Sequence, residues 1–293
     1  MLKSFSPFLL FALLTFSCNT PIVAKSVVID NVDKLNTVKE SIEAHIKKNT
    51  EKNAESILVI FDIDDTLLKS DSFVGGDTWY NWQRGKTLKS TAEGEVTIDD
   101  SDKVACLFSK LGVLYELGTY HATETDAVDI VGDLAKFDLM ALTSRSPDYR
   151  GGTERELTRA GFDFDGAHLL AKSEALAYTL FDGKNTRPVT YQNGIVMSTG
   201  LNKGAVLIDL LKKIDKEYAS IFFVDDSRKN ITDMEKAWRD SSSDMNIFHY
   251  TGVDKRISPE DVLQAKDSRE ALNAFIQSAF PSRASSFSDG SCQ

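Results

Sequence analysis

The chain has 293 residues, 42% hydrophobic and 27% charged, the balance of a globular protein that buries a full core as one domain with a large insertion or as two small ones. Its formal net charge of −10 argues against a partner held through a nucleic-acid backbone. A small anionic ligand is not excluded, because a metal ion and amide groups can meet an anion locally whatever the global charge.

In chain order, Lys3 precedes the apolar run from Phe8 to Leu14, and Ile22-Val23-Ala24 ends on a small residue. Residues 1–24 therefore read as a signal peptide, with export to the periplasm or beyond, and no transmembrane segment remains once it is removed. Cys18 offers a second reading, a lipid anchor, but Thr15-Phe16-Ser17 before it lacks the Leu and small residues of a lipobox. Loss of the leader removes one positive charge and one of the three cysteines. Cys106 then falls in an apolar helical pattern and Cys292 in a Ser-rich tail, which favours a buried, inert Cys106 over a disulfide.

Leu35, Val38, Ile42 and Ile46 recur at three and four residues and predict an amphipathic helix over 33–48. Ile57 to Phe61 is a continuous apolar run, the pattern of a strand buried on both faces of a parallel sheet. The stretch 70–136 fits no strand of that sheet. It carries Trp79, Tyr80 and Trp82, then Val104, Leu107, Leu111 and Leu114 at helical spacing, and reads as a mainly helical cap whose aromatics could stack on a nucleotide or other ring but in caps more often form the cap's own core. Further strands are expected at 137–142, ending at Thr143, at 221–224, ending at Asp225-Asp226, and more weakly at 246–250. Helices are expected at 153–160, 203–213 and about 230–238.

Asn193-Gly194, flanked by β-prone residues, predicts a hairpin leading into the Lys203 helix. Ser258-Pro259 opens a last helix to about Phe280, and 282–293 reads as a disordered tail. Alternating strands and helices give an α/β class, a Rossmann-like parallel sheet with helices on both faces, whose core is 25–69 with 137–281.

Open sheets of this kind bind ligands outside the carboxyl ends of their strands, where Asp62, Thr143 and Asp225 fall. Asp62, Asp64 and Asp65 put three carboxylates in four residues after a buried strand, and they repel unless a cation sits among them. Asp225 and Asp226 bring two more, supplying the hard oxygen ligands that Mg²⁺ prefers. Thr143 and Ser144 offer hydroxyls and amides to a phosphate oxygen, and Lys203 offers an ammonium at the positive end of a helix. Singly, each has a plain structural explanation as a cap, a turn or a solvated side chain. Together and in order, they point to phosphoryl chemistry.

The set Asp62-x-Asp64-x-Thr66, Thr143, Lys203 and Asp225-Asp226 resembles the four motifs of the haloacid dehalogenase (HAD) superfamily over roughly residues 55–250. The resemblance implies a Mg²⁺-dependent phosphomonoester hydrolase. Asp62 would be the nucleophile and a metal ligand, and Asp64 the general acid and base, its backbone carbonyl also a ligand. Thr143, Ser144 and Lys203 would hold the phosphoryl group of a small substrate, and Asp225 and Asp226 would complete the metal site. An acid at position 64 is absent from the dehalogenases and P-type ATPases of that superfamily. Transfer to an acceptor alcohol, or a silent HAD-fold binding protein, are the alternatives. One departure stands out: where many members carry another Asp after the fourth motif, this chain has Asn230.

Overall fold

A strand that is apolar on both sides needs a layer on each, and the chain supplies two. In a computed structural model, which describes residues 26–48, 56–164, 169–171, 174–288 and 292, the chain runs as follows. The first half is β1 (Val27–Val32), α1 (Leu35–Lys48), β2 (Ile57–Phe61), β3 (Leu68–Ser70), α2 (Asp77–Gln83), β4 (Leu88–Lys89), β5 (Glu95–Val96), α3 (Leu107–Leu117), β6 (Tyr120–Ala122) and α4 (Ala127–Leu134). The second half is β7 (Asp138–Thr143), α5 (Arg150–Ala160), β8 (Leu176–Phe181), β9 (Thr186–Gln192), β10 (Ile195–Met197), α6 (Lys203–Lys213), β11 (Ser220–Asp225), α7 (Arg228–Ala237), β12 (Asp244–Tyr250), α8 (Pro259–Ala279) and α9 (Pro281–Ser288). The leader expected over 1–24, and Cys18 with it, lies outside the described residues.

Eight strands form one sheet in the order β1-β12-β11-β2-β7-β10-β9-β8, in which β9 alone runs against the others and pairs antiparallel with both β10 and β8. Alternate residues divide between the faces: Ile57, Val59 and Phe61 of β2 share a core with α1 and α4, while Leu58 and Ile60 pack with α6 and α7. The expected α/β architecture is therefore the observed one. At the hairpin both Asn193 (φ 50°) and Gly194 (φ 72°) are left-handed, as a tight primed turn requires, and a Cβ on Gly194 would meet Phe164 Cβ at 2.7 Å.

Two edge strands escape the sequence pattern. In β1 the run Val27-Val28-Ile29 is broken by Asp30 and a left-handed Asn31, with a register shift before Val32. β8 alternates half-buried and exposed residues at the sheet's other edge, so neither strand is a continuous apolar run. The run at 57–61 is consequently the second strand of the chain, and the insertion follows it.

It is also shorter and more mixed than the helical cap expected over 70–136. The antiparallel pair β3–β6 forms its base, and between them lie α2, α3 and the short pair β4–β5. Trp79 and Trp82 are buried within it. α4, read into the cap, buries Ala127, Ile130, Val131 and Leu134 against the sheet and α1 as a crossover helix leading to β7. The insertion's end before α4 is marked only by the three-residue strand β6, too short to signal a boundary.

The C-terminal expectation is corrected as well. Residues 281–288 form α9, with Pro281 at its first position, and Cys106 is bonded to Cys292 across 186 residues. Cys106 does not sit on the apolar face of α3; it is the half-buried, left-handed N-cap of that helix (φ 52°), which leaves its thiol free to reach the tail. No helix among the described residues is long and apolar enough to cross a membrane.

A cross-link over so long a loop stabilises mainly by restricting the unfolded chain. Cys106→Ser is expected to cost about 2–4 kcal/mol in urea unfolding. A midpoint equal to that of the intact protein would contradict the bond's structural role.

Candidate active site

β2 runs one residue past its last ladder position, Asp62 N–H donating to Val224 O at 2.9 Å, and then turns sharply. The turn is set by Asp65, left-handed at φ 55°, whose N–H donates to Leu68 O at 2.8 Å, while Leu67 and Leu68 N–H converge on Ile63 O. Ile63 and Leu67 are fully buried and pin the loop. β7 and β11 pair with β2 on either side, so Thr143 and Asp225 finish beside Asp62.

The fourth element arrives from the opposite layer. Asn202 caps α6 by accepting from Ala205 N–H at 3.0 Å. Gly204 lets α6 approach α7 so closely that a Cβ there would lie 2.5 Å from Ala237 Cβ. This drives Lys203, 0% exposed, between two carboxylates: its Nζ donates to Asp62 Oδ1 at 2.5 Å and to Asp225 Oδ2 at 2.7 Å. Burial opposes the ammonium charge, but Asp225 and Asp62 outweigh it and hold Lys203 above its ordinary pKa. Burial likewise pushes the Asp62 carboxyl up to about 7 against the pull of Lys203, and it raises Asp225. Asp225 also accepts from Ser227 N–H at 2.8 Å and, through both oxygens, from Asn230 Nδ2 at 3.1 Å. Asn230 thus supports the aspartate as a neutral donor where another acid would add charge.

Two further cations complete the site, and the sequence reading named neither. Arg145, two residues past Thr143, grips Asp64 with both prongs, Nη2 to Oδ1 at 2.7 Å and Nε to Oδ2 at 2.9 Å. Its Nη1 donates to Thr153 Oγ1, and its guanidinium carbon lies 4.0 Å from the Tyr115 ring centroid. Burial works against this charge too, yet Asp64, together with Tyr115 and Tyr120, more than offsets it. Thr143 Oγ1 accepts from Arg145 N–H at 3.1 Å, and Ser144 is exposed at the same edge. The segment Thr143-Ser144-Arg145 was the available signal for Arg145. Lys255, in the loop after β12, contacts Asp226, Asp77 Oδ2 at 2.8 Å and Asp65 Oδ2 at 3.3 Å. It lies outside any periodic pattern, so only the folded chain discloses it.

Six carboxylates (Asp62, Asp64, Asp65, Asp77, Asp225, Asp226) thus face three cations (Lys203, Arg145, Lys255). Carboxylate oxygens of Asp62, Asp225 and Asp226 lie within 4.8 Å of one another, a hard donor set with surplus negative charge that fits a divalent cation. The Asp64 carboxylate is committed to Arg145, which leaves only its backbone carbonyl for such an ion.

Lys203→Met would strand two buried carboxylates, at a cost of about 3–5 kcal/mol in urea unfolding in EDTA. Adding Asp225→Asn should recover part of that loss; a single variant as stable as the parent would mean the triad is not buried as described.

A family model described as "Protein of unknown function (DUF2608)" matches residues 32–279, from the end of β1 to the end of α8. No curated protein and no solved structure matches the chain. The chain belongs to the DUF2608 family.

Proposed function

We propose that the chain is a phosphomonoester hydrolase of the HAD type, working through a phosphorylated Asp62. The observation that carries this reading is the Lys203 ammonium bridging Asp62 and Asp225 at the carboxyl ends of adjacent parallel strands, with Thr143 ending the next strand. A lysine so placed offsets charge on the attacking carboxylate and on the equatorial oxygens of a transferring phosphoryl group, which is most of what a loose transition state needs.

Asp62 Oδ attacks phosphorus, and the P–O bond to the leaving alcohol breaks as that oxygen takes a proton from Asp64. Asp64 then removes a proton from water, whose oxygen attacks phosphorus and releases phosphate and the free Asp62 carboxylate. Both Asp64 oxygens accept from Arg145, so each transfer requires the guanidinium to yield a hydrogen bond; phosphoryl oxygens are the anions it can turn to. Thr143, Ser144 and Lys203 hold the phosphoryl group. Asp62, Asp225, Asp226 and the Asp64 carbonyl would hold Mg²⁺, which supplies charge neutralisation of the phosphoryl oxygens when bound.

The buried position of Asp62 supports a small phosphorylated substrate. A site outside the cytoplasm is supported by the Cys106–Cys292 bond, which survives in oxidising compartments, and by the leader expected over 1–24.

The purified protein should hydrolyse a generic aryl phosphate with Mg²⁺ and stop in EDTA, and Asp62→Asn should lose at least about a thousandfold in kcat. Activity retained in that variant would sink the proposal.

A further inference from the structure

Lys255 belongs to none of the groups that the proposed chemistry uses, yet it stands at the centre of a second acidic cluster. Asp65, Asp77 and Asp226 also bring carboxylate oxygens within 4.8 Å of one another, and the Lys255 ammonium contacts all three. Asp65 and Asp226 belong to the core loops after β2 and β11, whereas Asp77 is the first residue of α2 in the insertion. Asp65 and Asp226 are 7% and 6% exposed at their side chains, so a neutral residue in place of Lys255 would leave buried charge uncompensated. The Asp65 Oδ2 atom is buried and has no hydrogen-bond partner; the 3.3 Å approach of Lys255 is the cationic contact that offsets it.

The same loop grips the insertion a second time. Ile257, fully buried, donates its N–H to Lys89 O at 2.9 Å and accepts from Thr91 N–H at 3.0 Å, as an added strand would. Asn81 Nδ2 donates to Asp77 Oδ2 at 2.7 Å, so the carboxylate that Lys255 holds is oriented from within α2 as well.

We propose that Lys255 is a built-in cation that occupies the second cation position of this acidic end and, through Asp77, fastens the insertion over the Asp62 site. It is a positioning residue: it holds Asp226 and the insertion, and contacts no reacting atom. The site then takes one divalent ion per chain. The ion count rests on the metal proposed at Asp62, Asp225 and Asp226; the fastening does not.

Two measurements on the full chain separate these. Mn²⁺ titration followed by electron paramagnetic resonance should show one bound ion in the parent and in Lys255→Arg, and two in Lys255→Met, where three carboxylates are left without their ammonium. Hydrogen exchange of the metal-free protein should show the α2 amides exchanging at least about tenfold faster in Lys255→Met and in Asp77→Asn, with Lys255→Arg close to the parent. Two ions in the parent, one ion in a folded Lys255→Met, or unchanged α2 exchange would each overturn the inference. If Lys255→Met does not fold, Asp77→Asn decides through exchange alone. A parent that binds no Mn²⁺ would defeat the proposed metal site and leave the exchange result to judge Lys255.

Discussion

The structure turns on one buried contact, the Lys203 ammonium between Asp62 and Asp225. β2 and β11 are hydrogen-bonded neighbours, and adjacent strands lie about 4.8 Å apart, so aspartates ending both are forced together. In an apolar setting two such carboxylates repel strongly, and a cation between them is the condition for both to stay charged. Three buried ions are a poor way to gain stability, since well-packed apolar side chains of similar volume commonly do as well or better. Their presence at a strand-end edge is the feature that the proposed phosphoryl chemistry accounts for. The packing behind them follows: Gly204 exists to let α6 close on α7, and that closure is what delivers Lys203.

Around this contact the acidic end is neutralised piece by piece, and each piece comes from a different part of the chain. Arg145 covers Asp64 from the loop after β7, and Lys255 covers Asp65, Asp77 and Asp226 from the loop after β12. The second of these joins charge balance to architecture. Insertions over strand ends are often free to open. Here the insertion is tied at several points: by Lys255 and Ile257, by Lys110 Nζ to Asn273 on α8 at 2.7 Å, and by the Cys106–Cys292 bond to the tail beyond α9. The C-terminal segment thus straps the insertion to the core.

Much of this was legible in the sequence, and the exceptions have physical causes. Continuous apolar runs betrayed β2, β7 and β11 because strands buried on both faces cannot tolerate polar residues, and the chemistry-bearing residues stood out because they broke those runs. Asp62, Thr143 and Asp225 meet at one edge and Lys203 joins them from α6, as the order of motifs implied. Edge strands β1 and β8 were hidden because half of their residues face solvent. α4 was lost because a three-residue strand is too weak a boundary, and α9 because Ser-rich composition imitates disorder when the restraint on it is a cysteine pairing. Lys255 and Asp77 were illegible for a different reason: their meaning lies in a contact across 178 residues, carried by no local pattern. The role of Asp64 was read from its position alone, and its commitment to Arg145 appears only once the loop after β7 is folded beside it.

The central claim, that Asp62 is the group that takes the phosphoryl, is most directly tested by acid-quenching the protein during turnover of an aryl phosphate with Mg²⁺ and locating the covalent label by peptide mass spectrometry. A phosphoryl group on Asp62, gone after a chase without substrate, is the result expected. Turnover with no phosphoryl adduct, or with the label on another residue, would contradict the account.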